Sequence, residues 1–459
     1  MNYNLSNNYK KIYEKVFFIT LAYLGLIDSL NGFFMQKSGV SISIVYRMIV
    51  LLIFTFFTLY KNDKKNYISI VIIIIYLIIS SSFSLINNGY ESKIISEFIK
   101  ISKLIFIFTI IESYKNIYKN DYTNGLSLIE KIVDYNLIIF PLCILIPMIL
   151  GIGINTYDSS IGSKGFFYAN NEIGLILSVL CIFATDRLYN KVNIYNTFIV
   201  IIVFISTISI GSKVGLLVPL IVLSIYFIKS IFNKKEKEGF YKLMIGSIVI
   251  MALIIIIFFG KLIFAVIERQ IHFYKIYNSS QENPILTLIL SGRNNFINII
   301  HKALMTSKSS IMIFLFGYSS FIKDSIIGLN FYGVKSLKAI EMDFFDILYG
   351  YGLIGVVLIY GYFLKYIIKY KSFKSDSLKY TLSFIVIIIL GFLAGHVFFG
   401  AMAGSMLAIV ICGMISSYED NIYEVDIIYQ NMIICTVDSK KFEIKTGCKI
   451  DEIIINNEF

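Results

Sequence analysis

The residues best equipped for chemistry are charged or titratable and interrupt a chain that is otherwise strongly apolar. Lys213 stands in Gly211–Gly215 (GSKVG) and Arg293 in Ser291–Asn295 (SGRNN). Glu341, Asp343 and Asp346 open Glu341–Gly355 (EMDFFDILYGYGLIG), and His396 opens the small-residue stretch Gly395–Gly404 (GHVFFGAMAG). Glu97, Lys100 and Lys103 break an apolar run near 94–112, and Arg47 lies in another. Lysine and arginine are suited to hold an anion, and arginine's planar fork grips a phosphate at two points. Arg293 precedes an amphipathic stretch, where helix N-terminal amides add to the pull on anions. The carboxylates and the histidine offer a general base or an anchor for a sugar hydroxyl.

Each group also has a plainer reading. Lys213 can snorkel beside a tight turn, with Gly211 and Gly215 as a helix-packing pair. Arg293 can be a solvated loop arginine, and His396 can hydrogen-bond across helices. The acidic trio can cap a helix, a contribution of about 0.3–1 kcal/mol. Glu97, Lys100, Lys103 and Arg47 can make ion pairs between helices rather than touch a substrate.

The elements that must position these groups follow from composition. Of 459 residues, 57% are hydrophobic, 15% are charged and four are proline, with a mean hydropathy of +0.76. A soluble globular chain stays near 45–50% apolar, so that class is excluded, as are disordered and collagen-like chains. A helix needs roughly 20 apolar residues to span a bilayer. Such runs predict spans near 16–34, 40–60, 67–86, 94–112, 134–154, 170–185, 194–210, 213–231, 242–266, 344–364, 378–396 and 398–417. The chain therefore reads as an all-α, polytopic integral membrane protein of about twelve transmembrane helices. Its transmembrane domain covers 1–417 and a short polar tail covers 418–459. The first run is long and has no small-residue cleavage site, so it reads as a span and not a removed signal. The five cysteines (143, 181, 412, 435 and 448) show neither disulfide nor zinc spacing.

Positive charge collects in alternate loops: Lys10, Lys11 and Lys15, then Lys61 to Lys65, Lys115 to Lys131, Arg187 and Lys191, Lys229 to Lys242, and Lys365 to Lys379. The intervening short loops hold little beyond Lys37, Lys93 and Lys164. By the positive-inside rule both termini are cytoplasmic, and the excess of Ile, Lys, Asn and Tyr, which suggests an AT-rich bacterial genome, places the protein in a bacterial cytoplasmic membrane. The segment near 261–342 then lies outside, before the last three helices. Its stretches FINIIHKALM and SSIMIFLFGY suggest short helices on or in the outer membrane face.

Under this topology Lys213, Arg293, Glu341, His396, Lys100 and Lys103 all fall at the outer leaflet boundary. A charge at mid-bilayer costs about 2.5–3.5 kcal/mol on insertion scales, so such groups face a cavity. An outward-opening cavity lined by cations and a few carboxylates suits an anionic lipid carrier such as a polyprenyl diphosphate. There is no Walker lysine motif, no GxGxxG after a strand and no metal-ligand cluster. Neither a cofactor, a metal nor a nucleic-acid partner is expected.

Taken in order, GFFYANNEIG (165–174), TISIGSKVGLL (207–217), SGRNNF (291–296), FLFGYSS (314–320), IEMDFFDILYGYGLIG (340–355) and AGHVFFGAMAGSMLA (394–408) resemble the bacterial O-antigen polymerase and ligase family. The resemblance covers residues 160–415 and is greatest to the Wzy-type capsular and exopolysaccharide polymerases. It implies a GT-C-like helical bundle acting as a metal-independent, inverting glycosyltransferase. Undecaprenyl-diphosphate-linked glycans would be donor and acceptor, in a lipid membrane, with a chain-length regulator as an optional partner. It also implies diphosphate binding by Lys213, at the family's GSR-like arginine, and by Arg293, with Lys100, Lys103 and Arg47 nearby. Glu341 or Asp343 would serve the attacking hydroxyl, and His396 is the further candidate. Ligases of the family carry a histidine where this chain has Glu341 and Asp343, which favours a polymerase. A lipid-linked oligosaccharide flippase is the competing class, with repeated halves and broken helices as its marks; the sequence displays no matching Gly/Pro interruptions.

Overall fold

The computed structural model describes residues 2–60, 64–119, 121–156, 162–232, 290–372 and 377–432, with single residues at 264, 268, 271 and 287. It is helical throughout, and among the described residues the only β pairing is one isolated bridge, Asn155 to Ser163. Helices α1 (Asn2–Ala22) and α2 (Leu24–Ser38) meet at a 51° bend. Then come α3 (Ile42–Tyr60), α4 (Lys64–Asn87), α5 (Ile94–Tyr118), α6 (Tyr122–Ile149), α7 (Asn170–Asn190), α8 (Ile194–Ser209) and α9 (Lys213–Phe232). Three short helices follow, α10 (Arg293–Thr306), α11 (Ser310–Phe316) and α12 (Ser320–Tyr332). The chain closes with α13 (Asp343–Tyr370), α14 (Leu378–Ala394) and α15 (Ala401–Met432).

A helix stands at every expected span except 242–266, which lies outside the described residues, as do Cys435 and Cys448. The spans are less uniform than hydropathy suggested. Among the described residues six helices are long and apolar enough to cross a membrane, seven if the bent pair α1–α2 is one span. Helices α8 and α14 are apolar but shorter, and α5 and α7 are more polar. The polarity of α7 has a packing cause. Residues 173–186 are all buried, with α6, α8, α9, α14 and α15 packed round them. A helix enclosed by other helices does not need a lipid-facing apolar surface, so it can carry Ser178, Thr185 and Asp186 inside. Helix α15 is enclosed likewise over 402–417 and runs on to Met432, past the 417 boundary read from hydropathy.

Helix α13 is broken at Gly352, whose φ is 74° and ψ 178°. The break releases the carbonyls of Tyr349 and Gly350, and the connection between α11 and α12 supplies donors for them. Tyr318 N–H reaches Tyr349 O at 2.9 Å and Ser319 N–H reaches Gly350 O at 2.9 Å. Non-helical backbone at membrane depth survives only where such partners exist. A β-carbon on Gly352 would run into the Leu315 carbonyl, so α11 seats here only because the residue is glycine. Gly352→Ala is expected to lower the unfolding midpoint in calorimetry, since the left-handed φ alone costs about 1–3 kcal/mol. An unchanged midpoint would show that the α11–α13 seam carries little of the stability. Neither this break nor the α1–α2 bend was legible from apolar periodicity.

Contacts sort the charges onto two ends of the bundle. One end holds Lys10 with Asp121, Arg187 with Glu130, Lys379 with Glu130, and Glu112 with Lys115, Tyr362 and Tyr366. The other holds the candidate site residues, as successive helices running in opposite directions require.

Candidate functional site

The site is organised round Glu341, in the short connection between α12 and α13. Its Oε2 accepts from Arg293 Nη2 at 3.1 Å and Asn171 Nδ2 at 3.3 Å, and its Oε1 from Lys338 Nζ at 2.7 Å. Burial alone would raise the Glu341 carboxyl, but the Lys338 hydrogen bond and the charges of Lys338, Arg293 and His396 hold it below its usual range. Its backbone is left-handed, with φ 65°. Two other non-glycine residues share that conformation, Ser291 (φ 55°) and Ser319 (φ 71°), and both border the site. Such strain persists only where surroundings enforce it. Here Asp346 does so, accepting from the N–H groups on both sides of Glu341, Ile340 at 3.3 Å and Met342 at 3.1 Å.

Asp346 is fixed by Lys323, a fully buried lysine on α12 that also pairs with Asp324 at 2.8 Å. Burial would lower the Lys323 ammonium, yet the two aspartates raise it above its usual value. Lys100 joins the same cluster through Ser320 and through Asp324 at 3.6 Å. Glu97 accepts from Ser320 N–H at 3.0 Å, Phe321 N–H at 3.2 Å and Tyr351 OH at 2.8 Å, which ties α5 to α12 and α13. Asp343 is fully buried, and its Oδ2 accepts from Val397 N–H at 2.8 Å. It therefore holds the loop that carries His396. His396 Nδ1 lies 4.0 Å from Asp346 Oδ2. Burial lowers the imidazole pKa below its usual value against the opposing pull of Asp346 and Glu341.

Lys213, the first residue of α9, donates to Ser291 Oγ at 3.2 Å and so meets the Arg293 segment. Arg293 is 12% exposed. It spends Nη1 on Leu290 O at 3.2 Å, and its buried Nε–H has no partner among the described residues. Between these residues lies a narrow cleft of about 40 Å³. It is lined by Asn170, Asn171, Gly174, Ser212, Leu390 and Gly395. None of the four lines the cleft itself: Lys213 and His396 each adjoin a lining residue in the chain, Glu341 reaches Asn171 by one hydrogen bond, and Arg293 is one bond further, through Glu341.

Arg47 and Lys103 are elsewhere. They line a larger cavity, about 190 Å³, bounded by α2, α3, α5 and the first turns of α7 and α15. Arg47 makes an ion pair between helices, its Nη2 2.8 and 2.6 Å from the two Asp28 oxygens. The five cations grouped by sequence therefore divide between the cleft, the Lys323 cluster and this cavity.

Sequence reading passed over Asp28, Glu172, Lys323 and Lys338. Asp28 was legible as a carboxylate inside the first apolar run. Glu172 stands in the first turn of α7, and its carboxylate accepts from Met402 N–H at 2.9 Å and Ala403 N–H at 3.3 Å, capping α15. Lys323 had no local signal, because its partner Asp346 stands on another helix, α13, and only the packing of α12 on α13 brings the two together. Among the described residues no three His, Cys, Asp or Glu side chains are arranged to hold a metal.

A family model described as O-antigen ligase like membrane protein matches residues 7–283, more than half of the chain. The matched stretch includes Arg47, Lys100, Lys103, Glu172 and Lys213. It begins further toward the N-terminus than the motifs at 160–415, and it ends before Arg293, Glu341, Asp343 and His396. No curated protein and no solved structure matches.

Proposed function

Since the chain belongs to the O-antigen ligase-like family of membrane proteins, whose role is glycan processing in a membrane, we propose that it is a polysaccharide polymerase. It joins undecaprenyl-diphosphate-linked repeat units at the outer face of the cytoplasmic membrane. The observation that carries this reading is the chain of contacts bordering the cleft, in which Lys213 meets the Arg293 segment at Ser291 and Arg293 pairs with Glu341, which in turn holds Asn171 of the lining. The titratable imidazole of His396 adjoins the same lining at Gly395.

The hydroxyl oxygen of one carrier-linked glycan attacks the anomeric carbon of another, from the face opposite its diphosphate. The bond from that carbon to the diphosphate oxygen breaks, and its electron pair leaves with the diphosphate. Arg293 and Lys213 neutralise the charge that develops there, where preorganised cations lower a barrier most. The hydroxyl proton passes to His396, kept neutral by burial and backed by Asp346. Glu341 is a weaker base, because three donors already hold its charge, and it serves as an anchor for the acceptor hydroxyl. Asp343 positions the His396 loop.

Deletion of the gene in its host is the direct test. Single repeat units on their carrier should accumulate outside the cytoplasmic membrane. Accumulation inside would mark a flippase, and free polymer of normal length would mark a ligase. A membrane-impermeant thiol reagent should also label Lys302→Cys on the exposed face of α10 in intact cells. Labelling only after permeabilisation would overturn the orientation and the proposal with it.

A further inference from the structure

The cavity round Arg47 and Lys103 is separate from the cleft, yet only one helical turn divides them. Asn170 and Asn171 line the cleft, whereas Ala169 and Glu172 line the cavity. Its polar groups are unevenly spent. Asp28 is taken up by the Arg47 guanidinium and by Ser43 at 3.4 Å. Glu172 is taken up by the first N–H groups of α15. The side-chain oxygen of Asn31 accepts from Ser41 Oγ at 3.2 Å and from Ser43 N–H at 2.9 Å. The groups with capacity left are donors. Arg47 is 8% exposed and its buried Nε–H has no partner among the described residues. Lys103, among the described residues, makes no ion pair or hydrogen bond. Both carboxylates are satisfied within the protein, whereas Lys103 is unpaired among the described residues and Arg47, whose Nη groups hold Asp28 and Ser43, keeps one N–H to give, so the complementary ligand is rich in acceptors and anionic.

The outer wall says how that ligand is carried. Met35, Ile44, Met48 and Leu51 line the same cavity, and Ile44 is continuous with the exposed apolar face of α3 formed by Val45, Ile49 and Leu52. An apolar chain can lie along that face while its head enters the cavity. Arginine and lysine together suit a phosphate, the one as a fork and the other as a point charge.

We infer that the Arg47–Lys103 cavity binds the phosphate-bearing head of a membrane lipid, at a site distinct from the Lys213–Arg293 cleft. On the polymerase reading, which this assignment to a substrate rests on, a joining reaction between two carrier-linked glycans needs two diphosphate sites. The cleft then holds the donor carrier and the cavity the acceptor carrier.

The test uses full-length protein in phosphatidylcholine nanodiscs, with undecaprenyl diphosphate, phosphatidylglycerol and inorganic pyrophosphate as separate probes. Binding is counted by native mass spectrometry. Two undecaprenyl diphosphate molecules should bind, and Lys103→Met should weaken one of them about tenfold or more, the loss of a charged hydrogen bond. Met48→Phe, which narrows the apolar wall without touching a cation, should weaken the same adduct. Arg293→Ala should weaken only the other. A Lys103-dependent adduct with phosphatidylglycerol but not with the diphosphate supports the lipid-phosphate site and overturns its assignment to the acceptor carrier. Pyrophosphate binding as tightly as the lipid, with Met48→Phe silent, overturns the lipid. If Lys103→Met and Met48→Phe change nothing while Arg293→Ala abolishes all binding, the second site is wrong and the polymerase reading stands. If none of the three variants changes binding, both fail.

Discussion

Arg293→Ala should stop the formation of long polymer and leave single repeat units on their carrier, a loss of about 10²–10³ in rate, as when one preorganised donor to a developing negative charge is removed. The reason is the way its guanidinium is used. One nitrogen holds Leu290 O, one holds Glu341, and the third, Nε, is buried with no partner among the described residues. An unpaired buried donor is costly unless a ligand completes it. Arg293→Lys keeps the charge and loses the fork, so partial activity is expected, read as a shortened ladder on a glycan gel. A merely structural Arg293 would act by neutralising Glu341. In that case Arg293→Ala would be rescued when Glu341→Gln is added, because no uncompensated carboxylate would remain. Absence of rescue is the expected outcome. A ladder of normal length from Arg293→Ala alone would remove Arg293 from the mechanism.

The architecture was legible wherever it rested on apolar periodicity. The helices α3, α4, α6, α8, α9, α13 and α14 all stand close to apolar runs, since lipid-facing surface has to be apolar, and the enclosed α15 is apolar as a buried core helix. Interior geometry was not legible. The enclosure of α7 by other helices is a property of packing, and nothing in its own residues announces it. The break at Gly352 shows why. YGYGLIG contains several glycines, and only the approach of α11 and of the connection after it, which brings Tyr318 and Ser319 to the freed carbonyls, decides which one bends. Within the site, spacing placed Lys100 and Lys103 together, because residues three apart on a helix share a face. One turn's rise and a partial rotation are enough to give Lys100 to Asp324 and Lys103 to the α3 cavity. Charge type and outward placement were thus readable, but partnership was not. Partners such as Asp28 for Arg47, or Lys323 for Asp346, come from other elements that the bundle brings alongside.

His396→Ala should lower polymerisation by about 10²–10⁴, the usual contribution of a positioned general base. The loss should come with a change in pH dependence that a packing defect would not produce. Burial lowers the His396 pKa, and the anions Asp346, Glu341 and Glu172 oppose that effect while Lys100 adds to it. A base must be neutral to act. A lowered pKa therefore keeps the imidazole competent below the ordinary histidine value, near 6.5, and the acid limb of the rate profile should lie under that pH. The neighbours then set its position in opposite directions. Glu341→Gln removes a charge that favours the imidazolium, so the limb should move to lower pH. Lys100→Met removes a charge that disfavours it, so the limb should move to higher pH. Both shifts should vanish in the His396→Ala background, where the residual rate would lose the limb. The measurement is initial polymer formation from carrier-linked repeat units, in proteoliposomes, between about pH 4.5 and 8, the range that brackets an ordinary histidine. A limb that stays in place in the His396→Ala protein would assign it to another group, with Glu341, whose pKa is also lowered, as the first to test.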